Sequence, residues 1–364
     1  DIRIPIKKIN LYTKIISILK SQNEINQAII SFENFKVKDI QKLSTRIKPS
    51  NFKTYLLNNL SDGEIEKILI DIKLDDNLNI SEYKANGSIK KINIKVSNDL
   101  LIKGVSFNFI SDKNLTLINS LNAKYQGISI TKGSLSLKKN KQINIEGNFN
   151  SQLNLSKDLI NKFATKLNVK FLEKNKAHIK GELIHNFFLD ENYKLIDYDY
   201  KSNGNIQKSQ IVFKNDFRSN FFQKTIKKFS ISQTSLLINL NNKNNNNLTL
   251  DGLYNLGGTE NKKFKIEHDF NKKNPTYLIE FDLAENIFLE FLNFKSNNKK
   301  SSNIKSKINF VNNNIIFDYI KFIEGKNIIS INDLKLNSKN EIASISNIEV
   351  KTFNGIKENN NFKI

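Results

Sequence analysis

The side chains able to do acid–base, nucleophilic or metal chemistry are few and scattered along the chain. There are three histidines, His178, His185 and His268, and none has a second ligand at helical spacing. His178 and His185 sit seven residues apart in a strand-like stretch, which holds them far from each other on an extended chain. Cysteine is absent, which excludes disulfides, thiolate metal sites and cysteine nucleophiles. The pair Asp75-Asp76 and the series Asp197, Asp199 fall in turns or alternating segments, where a solvated face explains them better than a general acid/base pair. Gly257-Gly258 lacks the Gly-Lys-Ser/Thr sequence and following helix of a phosphate loop. No Gly-x-Ser-x-Gly elbow is present. The chain therefore reads as a non-enzyme with no cofactor and no metal.

What remains is apolar chemistry, the removal of hydrocarbon from water at about 0.8 kcal/mol per CH₂. The stripes that could do this alternate with a period of two, the mark of strands with one apolar face. From Gly127 to Asn150 the residues Ile128, Ile130, Leu135, Leu137, Ile143, Ile145 and Phe149 point one way if the strands pair regularly, with Ser, Asn and Glu between them. The same alternation appears at Ile92-Ile94-Val96, Val105-Phe107-Phe109, Leu248-Leu250 and Ile345. Turn signals recur at Asp62-Gly63, Asn86-Gly87, Asn203-Gly204, Gly257-Gly258 and Asn354-Gly355. Helical patterns are expected only after Pro49, from Ser156 to Leu167, from Ala284 to Phe294, and in a turn near Ile15–Leu19. A segment of Glu82–Lys91 echoes Asp199–Lys208, and the Asn-rich runs at 241–247 and 297–303 read as loops.

Those stripes need burial, and a closed barrel, a sandwich and a sheet curled into a trough all supply it. A packed core is the ordinary outcome; a chain of 364 residues with so few helices has little to plug a closed core, which favours the trough. Strands of uneven length, no Trp and no aromatic girdle argue against an outer-membrane barrel. Ile (53) and Phe (26) together are too abundant for intrinsic disorder. The net charge of +21 raises a nucleic-acid reading. Arg occurs only at Arg3, Arg46 and Arg218, however, whereas the bidentate Arg fork dominates base and phosphate recognition. Lys, Asn, Ile and Phe all have AT-rich codons, so base composition alone accounts for much of the charge; a weak attraction to anionic lipid surfaces is the reading it leaves. No run reaches the roughly 18 apolar residues of a spanning helix. With no Met in the sequence, the native start is expected to lie upstream or to have been removed, and any membrane anchor to lie outside these residues.

The opening Ile2-Arg3-Ile4-Pro5 through Leu11, then Ile15–Leu19, then Glu24–Ile30, resembles the AsmA-like proteins of Gram-negative bacteria. Phe35–Ile40, the Pro49 helix and Gly63-Glu64-Ile65 are similar to the YhdP/TamB-type branch, as are Leu250–Tyr254 and Ile331–Leu336. The resemblance is one of pattern over most of the chain. It implies a mainly β fold: an elongated, curled antiparallel sheet forming a taco-like hydrophobic groove, with two or three short helices. It further implies periplasmic location, an inner-membrane anchor outside this segment, and phospholipid transport or envelope maintenance as a bridge-like lipid transfer protein. Phospholipids or other acyl lipids are the implied partners, with envelope proteins allowed and nucleic acid not. On that basis residues 1–62 form an N-terminal strand/helix segment and 63–364 the repetitive groove, with a sub-boundary near the 156–167 helix as an option. The expected groove lining is Phe107, Phe109, Ile128, Ile130, Leu135, Leu137, Ile143, Ile145 and Phe149. The alternative is a structural or adhesive β-rich surface protein with a closed core.

Overall fold

A computed structural model describes residues 6–13, 25–39, 54, 58–77, 79–97, 100–125, 127–155, 172–190, 194–219, 222–243, 246–258, 260–270, 275–283, 285–297, 301–311, 314–339, 341–354 and 356–364. The chain is mainly β: one large antiparallel sheet that, among the described residues, does not close into a barrel. It divides into two compact units, Asp1–Gln152 with Glu182–Asp199, and Leu153–Gly181 with Tyr200–Ile364.

In the first unit the chain runs as a meander. Strands β1 (Ile6–Thr13), β2 (Ile25–Lys36), β4 (Glu64–Leu74), β5 (Ile80–Ser97), β6 (Leu100–Asp112), β7 (Leu115–Tyr125) and β8 (Ile128–Lys139) pair in that order. The short β3 (Leu60–Ser61) joins β5, and β9 (Ile143–Leu155) follows β8. Short polar connections suit such hairpins. Asp75 closes the β4–β5 turn by accepting the Asn77 and Asn79 amides at 2.9 and 2.8 Å. Asp112 does the same at β6–β7 with Asn114 and Leu115, both at 2.8 Å.

The alternation is interrupted in each of six neighbouring strands. Asn34, Lys91, Ser120 and Lys132 have positive φ, as does Gly104, and the register slips at Glu66 between Ile65 and Lys67. The ladders around Lys91, Gly104, Ser120 and Lys132 each set two residues against one, which is a β-bulge. One extra residue flips side-chain parity. Phe32 and Phe35, Ile65 and Ile68, Ile89 and Ile92, Ile102 and Val105, and Ile118 and Leu121 therefore share one cluster despite their spacing of three. Bulges bend strands and raise their twist, so a line of them curves the sheet, and most of the buried apolar residues of this unit gather along that line.

The second unit continues as a meander through β12 (Phe222–Asn241), β13 (Asn247–Asn255), β14 (Lys262–Asp269), β15 (Thr276–Asp282), β18 (Ser302–Val311), β19 (Asn314–Glu324) and β20 (Asn327–Leu336). β20 then pairs with both β21 (Ile342–Ser344) and β22 (Asn347–Asn354), and β22 with β23 (Lys357–Lys363). The long strands β10 (Leu172–Leu189) and β11 (Leu195–Ser219) precede these.

The structure corrects several expectations. Ala284–Phe294 is no helix among its described residues: it forms a small ribbon, β16 (Phe288–Leu289) and β17 (Phe294–Lys295), around a single 3₁₀ turn at Glu290–Leu292. Its apolar spacing is helical in sequence, but the buried residues are Ile287, Leu289, Leu292 and Phe294, the pattern of two extended arms about a turn, because burial against the sheet outweighs local periodicity. Asn86-Gly87 and Asn203-Gly204 are not turns; they lie inside β5 and β11. Gly87 is there for close approach, since a Cβ would collide with the Lys67 carbonyl. Ile345 falls between β21 and β22 instead of on a strand. In the Asn-rich run at 241–247, Asn241 and Asn247 are already in strands and residues 242 and 243 form a turn, and Asn303 likewise belongs to β18. Residues 54, 58 and 59 are helical, whereas the rest of the Pro49 helix, the Ile15–Leu19 turn and the Ser156–Leu167 helix lie outside the described residues.

Candidate functional site

The residues that could carry conventional chemistry do not converge. His268 is a packing residue: its ring stacks on Tyr277 at 3.9 Å and 13°, and its Nδ1 lies 3.1 Å from the Thr276 carbonyl oxygen. His178 and His185 fall on β10, their side chains outside the described set. Asp75 is occupied with its turn, and Asp197 accepts the Tyr198 amide at 2.7 Å. No cluster of three or more His, Asp or Glu able to hold a metal exists among the described residues. An open cleft of about 550 Å³ in the second unit is lined by Thr249, Glu267, Thr276, Leu278 and Lys307. Its charges are engaged, Glu267 with Lys265 at 2.6 Å and Lys307 with Asp318 at 2.7 Å; it belongs to the polar side of the ladder.

The polar side of each unit carries cross-strand pairs: Lys73–Glu82 at 2.8 Å, Lys90–Glu66 at 2.6 Å and Lys138–Glu146 at 3.2 Å in the first, and Lys305–Glu280 at 2.8 Å in the second. The Lys90 ammonium, with help from the Ser88 hydroxyl, holds the Glu66 carboxyl below its ordinary range. Exposed pairs of this kind contribute little to stability. Their effect is to mark which face belongs to water.

The opposite face is apolar. In the first unit Phe35, Val37, Ile65, Ile92, Val105, Leu121, Ala123 and Phe149 are buried in one cluster, and Phe107, Ile130 and Leu135 pack against it. Four of the expected lining residues thus meet: Phe107 on β6, Ile130 and Leu135 on β8, Phe149 on β9. Ile130 and Leu135 have opposite parity, and it is the Lys132 bulge that puts both on one side. Phe109 touches Phe107 edge-on, ring centroids 6.4 Å apart. Ile143 is buried, while Ile128, Leu137 and Ile145 are half-buried. Gly133 and Gly147 reserve the space for Phe149: a Cβ on Gly147 would lie 2.8 Å from its Cζ and 2.8 Å from Leu135 Cδ2. Phe35, Ile65 and Leu121 are not among the expected lining residues; the signal for them is apolar spacing of three within an alternating strand.

In the second unit a cross-strand row runs through directly opposed residues: Phe264, Phe281, Ile304, Phe322, Ile329 and Val350. Its first part is aromatic. Tyr254 packs edge-on against Phe281 at 5.1 Å and donates its hydroxyl to the Asp282 carbonyl at 2.7 Å. Its later part, Phe322, Ile329 and Val350, is covered by the 285–297 ribbon. No protein-family model matches this chain, and no curated protein or solved structure matches it significantly.

Proposed function

We propose that the chain binds the acyl chains of phospholipids or similar lipids along the apolar face of its sheet, and serves lipid movement or maintenance in a bacterial envelope without catalysing a reaction. One observation carries this reading: within each unit the apolar residues are gathered on one face in rows that run strand to strand, several are left half-buried, and among the described residues no second large sheet exists to seal them. The only other sheet there is the two-stranded ribbon. A sandwich core needs two broad faces pressed together. The pattern likeness to AsmA-like proteins points the same way, and with it goes a periplasmic site and an anchor outside this segment. Among the described residues no helix is long and apolar enough to cross a membrane.

The energetics suit passage better than tight capture. Each methylene moved from water onto the face gains roughly 0.8 kcal/mol, so affinity is distributed over many residues and no single one dominates. Photo-crosslinking residues placed at Ile130 or Ile145 are expected to capture phospholipid in cells. The pair Ile130→Asp with Ile145→Asp should abolish capture while circular dichroism still reports a β fold. Failure to trap lipid at either position contradicts the assignment.

A further inference from the structure

The ribbon at residues 285–297 sits between β15 and β18 in sequence, yet it has left the ladder: β15 pairs directly with β18. Its apolar side chains Ile287, Leu289, Leu292 and Phe294 lie against Phe322, Ile329 and Val350 of β19, β20 and β22. Phe294 meets Phe322 edge-on at 5.7 Å. The ribbon is therefore an occupant built into the chain, and it displays what that part of the face accepts: a short stretch of branched and aromatic hydrocarbon.

Its attachment differs in kind from that of a strand. Its own backbone is closed by Ser296, whose amide donates to the Ile287 carbonyl at 3.0 Å and whose hydroxyl accepts the Ile287 amide at 2.8 Å. Polar ties to the sheet come from side chains. The Asn297 amide donates to Glu324 Oε1 at 2.6 Å, and Asn327 donates to Glu324 Oε2 at 2.9 Å. Glu324 is 1% exposed. Asn327 in turn accepts the Phe353 amide at 2.8 Å, and Asn360 donates to the Leu292 carbonyl at 2.8 Å. A segment held by side-chain latches and apolar contact can open without breaking strand pairing.

We propose that the 285–297 ribbon is a displaceable strap: acyl chains compete with Ile287, Leu289, Leu292 and Phe294 for the same row, and Glu324 is the latch that sets how readily the strap yields. This rests on the acyl-binding reading of the face, and it adds that occupancy of the β19–β22 part is gated within the chain.

The test uses hydrogen exchange on the intact chain with a dodecyl-chain phosphocholine below its micelle concentration, together with photo-crosslinkers at Ile130 and Ile329. On adding the probe, exchange at the Ile287, Ser296 and Asn297 amides should quicken several-fold, whereas ordinary ligand stabilisation would slow it. Glu324→Ala should raise capture at Ile329 several-fold and leave capture at Ile130 unchanged, and Glu324→Gln, which keeps the acceptor of the Asn297 amide, should restore most of the wild-type value. Strap amides that slow or do not respond while Ile130 still captures the probe overturn the strap and leave the acyl face standing. No capture at either position overturns both.

Discussion

Phe149 shows what single residues must do on this face. It is 8% exposed and fills the space that Gly133 and Gly147 leave open, so the glycines belong to its packing. Gly147→Val should cost about 1–3 kcal/mol, the usual range for overpacking, and Phe149→Ala about 3–5 kcal/mol through a cavity, both read as a shift in urea midpoint at constant slope. Asp112 offers a check at the polar side. The Asn114 and Leu115 amides hold its carboxyl below the ordinary value of 3.8, so its charged form favours the fold. That contribution is complete above the ordinary value and is lost as pH falls through the lowered one. Asp112→Asn removes the titration, so wild type should melt higher than the variant at pH 7, and the gap should close in acid.

At the scale of elements, the bulges are the device that makes six strands act as one surface. Deleting Lys132 would leave Ile130 and Leu135 four residues apart, on one side by plain alternation, so this variant removes the bend without sending either side chain to the other face. The expected result is a loss of stability by urea unfolding beyond that of Lys132→Ala, which keeps the extra residue and the bend. Much of the strand content was legible in the sequence because alternation is a local signal; the stretch Gly127–Asn150 is indeed two strands, β8 and β9. That Ile130 and Leu135 share a side was expected from regular pairing, but regular pairing would separate them; what brings them together is a slip of register against β7 that only the partner strand defines. Ala284–Phe294 misled for the same reason: its spacing fits a helix, and the surface that draws it into a ribbon is made by β19, β20 and β22. The Asn-Gly pairs inside β5 and β11 resemble turns locally, and their strand neighbours overrule that.

At the scale of the whole molecule, each of the two units has a polar and an apolar side, and the chain carries a net charge of +21. Such a body should associate weakly with vesicles containing phosphatidylglycerol and much less with phosphatidylcholine. The difference should collapse between 20 and 300 mM salt, as the Debye length falls from roughly 20 Å to below 8 Å; binding that resists salt equally on both vesicles would place the attraction elsewhere. The most direct measurement of the central claim is the lipid content of the purified chain, by organic extraction and mass spectrometry after expression in bacteria. Phospholipid in stoichiometric amount with the wild type, and lost from the chain carrying Ile130→Asp and Ile145→Asp, is the expected result. A wild-type chain that folds, stays in solution and carries no lipid would contradict an accessible acyl-binding face.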